Sequence, residues 1–368
     1  MRCPAKRRSR QLLSFRLGAA IWLGLLLCWS GSVVPVVAAA SAPATNKAEE
    51  VQVYGASPPS TFTLYALDPD LIVGWNTPLY DYEKQFILDR YHSLPVLGGW
   101  YGQGFIPDRE VLLAAGLKRA FLLTSKVHPQ NKISATLKNL GMEVVTIPGA
   151  SLSQTPAMFR ELGKAFDREA RGEALAQYGD RALQRVHEAV GGLPPEDRTR
   201  VYYAMEEDGL GTVCADSERS DALEAAGGLS VHICPKGTDN SMPRISFEQL
   251  MAYDPEVILV FTPGLMAHIP TNPKWQYLSA VKNNRVYLVP RGPFSWLDRP
   301  ATYMRLIGVQ WVASKLHPDR MRTDIAAETK EFMRLFFHLE MTDAEVGALV
   351  NPLVNPLTNP LVNPQANP

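Results

Sequence analysis

Short, dense apolar runs bounded by Gly, Pro or Asn predict buried strands along most of the chain. In the first half they fall at 51–54, 71–75, 96–99 and 120–124, and in the second at 201–205, 229–233, 257–261 and 285–289. Apolar positions between and after them predict helices at 217–226, 246–252, 300–316, 323–338 and 342–349. Strands alternating with helices give an α/β chain with central, mostly parallel sheets. One stretch reads differently. Met158, Leu162 and Phe166, then Leu175, Tyr178, Leu183, Val186 and Val190, recur at helical spacing without a strand between them. This is the longest helical pattern, and it separates two halves rich in βα units. It predicts two lobes, 48–150 and 198–349, joined by a long spine helix over 151–192. A break is expected at Arg171-Gly172-Glu173, because Gly weakens a helix interior.

The two ends do not belong to this pattern. Residues 1–40 carry six basic side chains and no acid, with an apolar run at 17–29 and small residues at 38–40. That order is the one of a cleaved secretory signal peptide. A lipid anchor on Cys28 would need a small residue before it, where Leu27 stands. The rest of the chain holds 31 basic and 37 acidic residues, which argues against nucleic acid as a partner. Residues 350–368 repeat Asn-Pro every four positions. Proline there removes donors and holds its predecessor extended, so a disordered tail is expected.

The halves also match each other. The fifteen residues 110–124 align without a gap on 248–262, at a constant offset of 138. Each copy reads as a helix start, a turn and a buried strand. Asp108 is placed to cap the first helix, and Ser246 with Gln249 fits a capping box in the second. Glu110 and Glu248 therefore occupy equivalent first turns. Singly, each acid suits the helix dipole. As a pair on two lobes, they suit a two-point docking surface for a partner with matching arginines.

Four stretches resemble the periplasmic substrate-binding proteins of ABC importers for iron-siderophores, haem and vitamin B12. They are Pro107-Asp-Arg-Glu110-Val-Leu-Leu, the run from Ile245 through Glu248 to Val260, Trp275-Gln-Tyr-Leu-Ser-Ala-Val-Lys-Asn-Asn-Arg-Val-Tyr287, and Phe294-Ser-Trp-Leu-Asp-Arg-Pro300. The likeness spans about residues 50–345. It implies two rigid lobes around a ligand cleft, and a permease with its ATPase in the cytoplasmic membrane. It also implies that Glu110 and Glu248 meet permease arginines. The loop from Gly98 to Gly104 and the segment from Asn76 to Tyr82 depart from the commonest members, so the ligand class stays open. A ferric siderophore ranks first on family frequency. Haem, a corrinoid, a nickel or cobalt chelate and molybdate fit the same architecture.

Loops at strand ends line the crevice of α/β lobes. That selects Ser57, Asn76, Trp100, Tyr101 and Gln103 in the first lobe, and Tyr203, Glu206, Trp296 and Arg299 in the second. Aromatic rings would stack on a flat chelate, and Arg299 would pair with an anionic group. Trp296 equally suits packing of the last helices, and Arg299 a surface ion pair. Seven scattered histidines show no i, i+4 pair, so no metal ligand is named. Nor is any cofactor. Cys214 and Cys234 remain after the leader; a disulfide and two separate thiols are both open. No HExxH, GxSxG or P-loop is present, which argues against an enzyme such as a periplasmic chelatase. A non-transport adhesion or sensory module is the remaining alternative.

Overall fold

The computed structural model describes residues 52–100, 106–124, 131–149, 151–236 and 242–352. The expected leader and the repeats beyond Pro352 lie outside them. Among the described residues, seven strands form two parallel sheets. The first, in the order β1-β2-β3, contains β1 (Val53–Gly55), β2 (Arg119–Thr124) and β3 (Glu143–Pro148). The second, in the order β5-β4-β6-β7, contains β4 (Thr199–Ala204), β5 (Gly228–Ser230), β6 (Val257–Val260) and β7 (Val286–Leu288). Around the first sheet run α1 (Pro58–Leu67), α2 (Asp81–Lys84), α3 (Arg109–Ala114) and α4 (Asn131–Asn139). Then come α5 (Thr155–Ala165) and α6 (Glu169–Val190). The second sheet is accompanied by α7 (Asp221–Ala225), α8 (Phe247–Tyr253), α9 (Pro263–His268) and α10 (Ser279–Lys282). The chain continues through α11 (Arg305–Leu316), α12 (Ile325–Phe337) and α13 (Asp343–Val350).

Alternate strand residues serve different cores, which is what a sheet covered on both faces requires. In β2, Ala120 and Leu122 pack with Tyr54, Leu112 and Leu137, whereas Phe121 and Leu123 face the helix-lined core. In β6, Ile258 and Val260 pack with Tyr202, Leu250 and Trp275, whereas Val257 and Leu259 face that same helix-lined core. The shared core is built from α1, α5, α6, α11 and α12. Phe159, Tyr178, Tyr303, Phe332 and Phe336 interlock there at ring separations of 4.4–6.2 Å. Each such ring contributes about 1.5–3 kcal/mol by leaving water.

The internal repeat survives as register. Val53 pairs with Arg119 in the first sheet, as Val201 pairs with Val257 in the second. Arg119 and Val257 are the positions that the offset of 138 equates. On the other side, Ala120 pairs with Val144 and Ile258 with Val286. The strand triplets β1-β2-β3 and β4-β6-β7 are therefore built alike, with β5 added at one edge of the second.

Three local expectations change. The spine is two helices, and the break lies at 166–168, where Asp167 takes φ 57°. Gly172 sits inside α6 instead of ending it. A Cβ on Gly172 would lie 2.5 Å from the Phe159 carbonyl oxygen and 2.9 Å from Gly163 Cα. Glycine here permits two helix backbones to touch, a demand that propensity alone does not register. The segments expected as strands at 71–75 and 96–99 make only single bridges, Val53 to Ile72 and Trp75 to Val96. The second bridge is parallel and holds two hydrogen bonds, from the Trp75 amide to the Pro95 carbonyl at 2.9 Å and from the Leu97 amide to the Trp75 carbonyl at 2.8 Å, but it extends no further. The helix expected over 217–226 begins at Asp221, because Ser217 and Ser220 turn back onto the Cys214 carbonyl.

Candidate functional site

The carboxyl ends of β4, β6 and β7 lead into one cluster. Tyr203, near the end of β4, donates its hydroxyl to Asp298 Oδ1 at 2.8 Å. Phe261, the first residue past β6, meets Tyr203 edge-on at 6.5 Å. Arg291, three residues past β7, lies 4.9 Å from the Phe261 ring centroid, and Arg299 lies 5.2 Å from it. A guanidinium over an aromatic face gains about 0.5–2 kcal/mol, and half-buried ones such as these fall between the limits.

The loop carrying both arginines is held from several sides. Phe294 stacks edge-on against Phe62 of α1 at 4.8 Å, and Tyr303 donates to the Phe62 carbonyl at 3.2 Å. Gly292 abuts the Phe86 ring, so closely that a Cβ would approach it to 2.5 Å. These contacts bring the loop against elements of the first lobe. There, Tyr82 and Glu83 of α2 lie within the field of Arg291. Burial pushes the Glu83 carboxyl up to about 7, despite the Tyr80 N–H, the Tyr82 hydroxyl and Arg291, which all favour its charged form.

Asp298 is fully buried and organises the base of the cluster. It accepts from Tyr203 and, at 3.1 Å, from Arg219. Burial raises its affinity for a proton, opposed by the Tyr203 hydrogen bond and the nearby arginines. With Arg219 engaged there, Arg299 feels Asp298 and Arg291 feels Glu83 only through the field, and among the described residues neither arginine forms an ion pair. The Nε atoms of both are buried without an acceptor. The Arg299 fork also donates through Nη2 to the Met242 sulfur at 2.6 Å, and a thioether is a weak acceptor.

The residues named from sequence take varied positions. Asn76 is buried under the first-lobe loops. Its Nδ2 donates to the Gly55 and Gly98 carbonyls, both at 2.8 Å, and its Oδ1 accepts from Thr61 at 2.7 Å. Ser57 caps α1, accepting from the Ser60 amide. Trp100 is half-buried and meets Tyr54 edge-on. Trp296 is completely buried, with its indole N–H unpartnered. Glu206, at φ 63°, pairs with Arg244. Tyr101 and Gln103 lie outside the described residues. Arg291, Phe261, Asp298 and Glu83 were not singled out from sequence. The strand-end rule, applied after β6 and β7 as it was after β4, would have found Phe261 and Arg291.

Glu110 and Glu248 are exposed on α3 and α8. Asp108 caps the first helix through the Glu110 amide at 2.8 Å, and Ser246 caps the second through the Gln249 amide at 3.1 Å. Local hydrogen bonds, from its own amide and then Ser246, hold the Glu248 carboxyl below its ordinary range. The equivalent positions three residues on, Leu113 and Met251, are exposed apolar side chains. Cys214 and Cys234 form a disulfide with Cα atoms 5.3 Å apart. Among the described residues, no group of three His, Cys, Asp or Glu is placed to hold a metal, and no helix is long and apolar enough to cross a membrane.

Comparison with known proteins decides the family. Residues 131–292 match the family described as "Periplasmic binding protein". An ABC transporter solute-binding protein from Sulfurospirillum deleyianum is 34% identical, with a TM-score of 0.76 over 81% of this chain and 93% of its own. The chain belongs to the periplasmic binding proteins of ABC transporters. As such it is a transport component and not an enzyme, and its family role implies a permease partner. A periplasmic solute-binding protein from Veillonella parvula shares the fold at 20% identity, with a TM-score of 0.65 over 83% of this chain and 93% of that one. The molybdate-binding protein MolA of Haemophilus influenzae is 23% identical over 179 residues, 48% of this binding protein. That match spans about half of MolA's own length (49%).

Proposed function

We propose that this binding protein captures an anionic metal chelate, a ferric siderophore first, outside the cytoplasmic membrane. It delivers the chelate to its permease by docking through Glu110 and Glu248. The observation that carries the docking is the pair of exposed glutamates on α3 and α8, each one helix and one turn ahead of register-equivalent strands. Both carboxylates stand in the first turns of helices capped by Asp108 and Ser246, and that of Glu248 also accepts from its own amide. Substitution at each should cost about 0.3–1 kcal/mol, the interaction of a first-turn acid with the helix dipole, which leaves the fold intact.

The ligand part rests on the Phe261 cluster and on the half-buried Trp100, which offer charge and ring faces to a flat, anionic complex. Residues 48–150 and 198–349 act as the lobes, 151–192 as the link, and 1–40 as the export signal. The molybdate that gives MolA its name is also an oxyanion, which keeps molybdate as the second ligand to try. Haem, corrinoids and nickel or cobalt chelates complete the panel.

The test has two steps. Intrinsic tryptophan fluorescence, titrated with the panel, should show saturable quenching by a ferric siderophore at micromolar levels or below. Uptake of that ligand into cells should then fall at least tenfold in the Glu110→Ala/Glu248→Ala variant, with ligand affinity unchanged. Full uptake by the double variant would refute docking and favour an adhesion or sensory role.

A further inference from the structure

The cationic side of the cluster has more charge than its own carboxylate answers. Arg219, Arg291 and Arg299 converge on a region whose one fully buried carboxylate, Asp298, is already held by Arg219 and the Tyr203 hydroxyl. Glu83 on α2 attracts Arg291 through the field, and among the described residues no close ion pair joins them. A half-buried guanidinium without an acceptor is costly, and two on one aromatic ring repel each other. Phe261 offsets part of that cost and fixes where both forks lie. Their Nε–H groups are in-plane donors closed to water and without an acceptor, which oxygens of one acidic group would reach only by entering beside Phe261.

We propose that Arg291 and Arg299, stacked on Phe261 at the carboxyl ends of β6 and β7, form a clamp for a multi-oxygen anion, the recognition element of the ligand site. The clamp rests on the transport reading above and narrows it. The ligand presents carboxylate, catecholate or oxometallate oxygens to the second lobe, and a neutral corrinoid is not its occupant. Asp298 acts on the ligand only through others, as a positioning residue: it fixes the loop from Ser295 to Arg299 against β4. The two sources of such oxygens, a free oxyanion and the rim of a chelate, differ in size and are separable by titration.

The experiment uses the purified protein with sodium molybdate, ferric tris-catecholate and cyanocobalamin, followed by tryptophan fluorescence. One or both anions should bind saturably and cyanocobalamin should not. Arg291→Gln and Arg299→Gln should each weaken anion binding at least tenfold, and Arg291→Lys should recover part of the loss by restoring charge without the fork. Molybdate binding alone names a free oxyanion, and tris-catecholate binding alone names a chelate rim. Phenylglyoxal labelling read by mass spectrometry covers the case in which a variant fails to fold: bound anion should protect Arg291 and Arg299 in the unaltered protein. The clamp is overturned if neither anion binds, if the variants bind with unaltered affinity, or if the anion leaves both arginines open to labelling. Should the variants bind normally while uptake still depends on Glu110 and Glu248, the clamp is wrong and the transport reading stands. Should uptake ignore both glutamates while the clamp binds anion, the docking fails instead.

Discussion

The two lobes share one strand register but finish their strands in opposite ways. Gly55 in β1 and Tyr203 in β4 occupy matching places, paired with Phe121 and Leu259 at the offset of 138. At Gly55 the space is taken by α1, since a Cβ would fall 2.6 Å from the Thr61 backbone. Around it, Asn76, Thr61, Ser57 and Ser60 satisfy one another and the nearby carbonyls. At Tyr203 the side chain instead reaches out to Asp298, and two arginines stand beside it without a close ion pair among the described residues. One strand end is closed on itself, and the other is left with surplus charge. The same strand register is thus finished in two ways, by a glycine packed under α1 in the first lobe and by Tyr203 reaching Asp298 in the second.

Asp298→Ala should break the receptive end most severely. It strips a fully buried acceptor from Arg219 and Tyr203, which costs about 3 kcal/mol, the low end for a buried pair because Arg219 is partly exposed. Chemical denaturation would read that loss, and anion affinity should fall with it. A near-normal midpoint would mean that solvent replaces the carboxylate, and that the loop does not depend on it.

Asn76→Ala attacks the sealed end. It leaves the Gly55 and Gly98 carbonyls short of a donor and removes the acceptor of Thr61, for about 1–3 kcal/mol. If this end is structural, stability drops while ligand affinity per folded molecule does not change. A selective loss of affinity would instead return Asn76 to the ligand site.

A gentler probe is acidity. In the fold, Glu83 holds its proton up to about 7, against an ordinary 4.5. The folded state thus binds a proton that the unfolded chain has released, and stability falls as pH rises from about 4.5 to about 7. Glu83→Gln should remove that slope. It should also leave anion affinity less dependent on pH over the same range, since ionised Glu83 competes for the field of Arg291. Thermal unfolding and titration at pH 5.5 and 8 measure both, and parallel curves for variant and parent would exclude Glu83 from the cleft's charge balance.

The strands and helices of the second lobe were legible because each is set by neighbours in sequence. The unbroken apolar runs at 201–204 and 257–260 specify strands buried on both faces, and Asp108 and Ser246 mark helix starts by chemistry that acts within three residues. The repeat was legible too, since equal spacing of Glu, Leu, Ala and Thr needs no fold to be seen. The site was less so. A polar residue at a strand end reads the same whether a ligand or a backbone carbonyl will use it. Asn76 and Arg299 therefore looked alike, and only Gly55, Gly98 and Thr61 separate them.

By itself, then, the sequence determined the α/β class, the doubled unit and the exposed glutamates, because these follow from local periodicity and short-range capping. Tertiary structure alone decided three things. Helix contact at Gly163 and Gly172 moved the spine's break to Asp167. The pairing of β6 with β7 brought Arg291 to Phe261. The return of the loop across β4 added Arg299 and buried Asp298 between Tyr203 and Arg219. Each depends on which distant groups share a dehydrated space, and the energy of a charge there is set by those neighbours and not by its place along the chain.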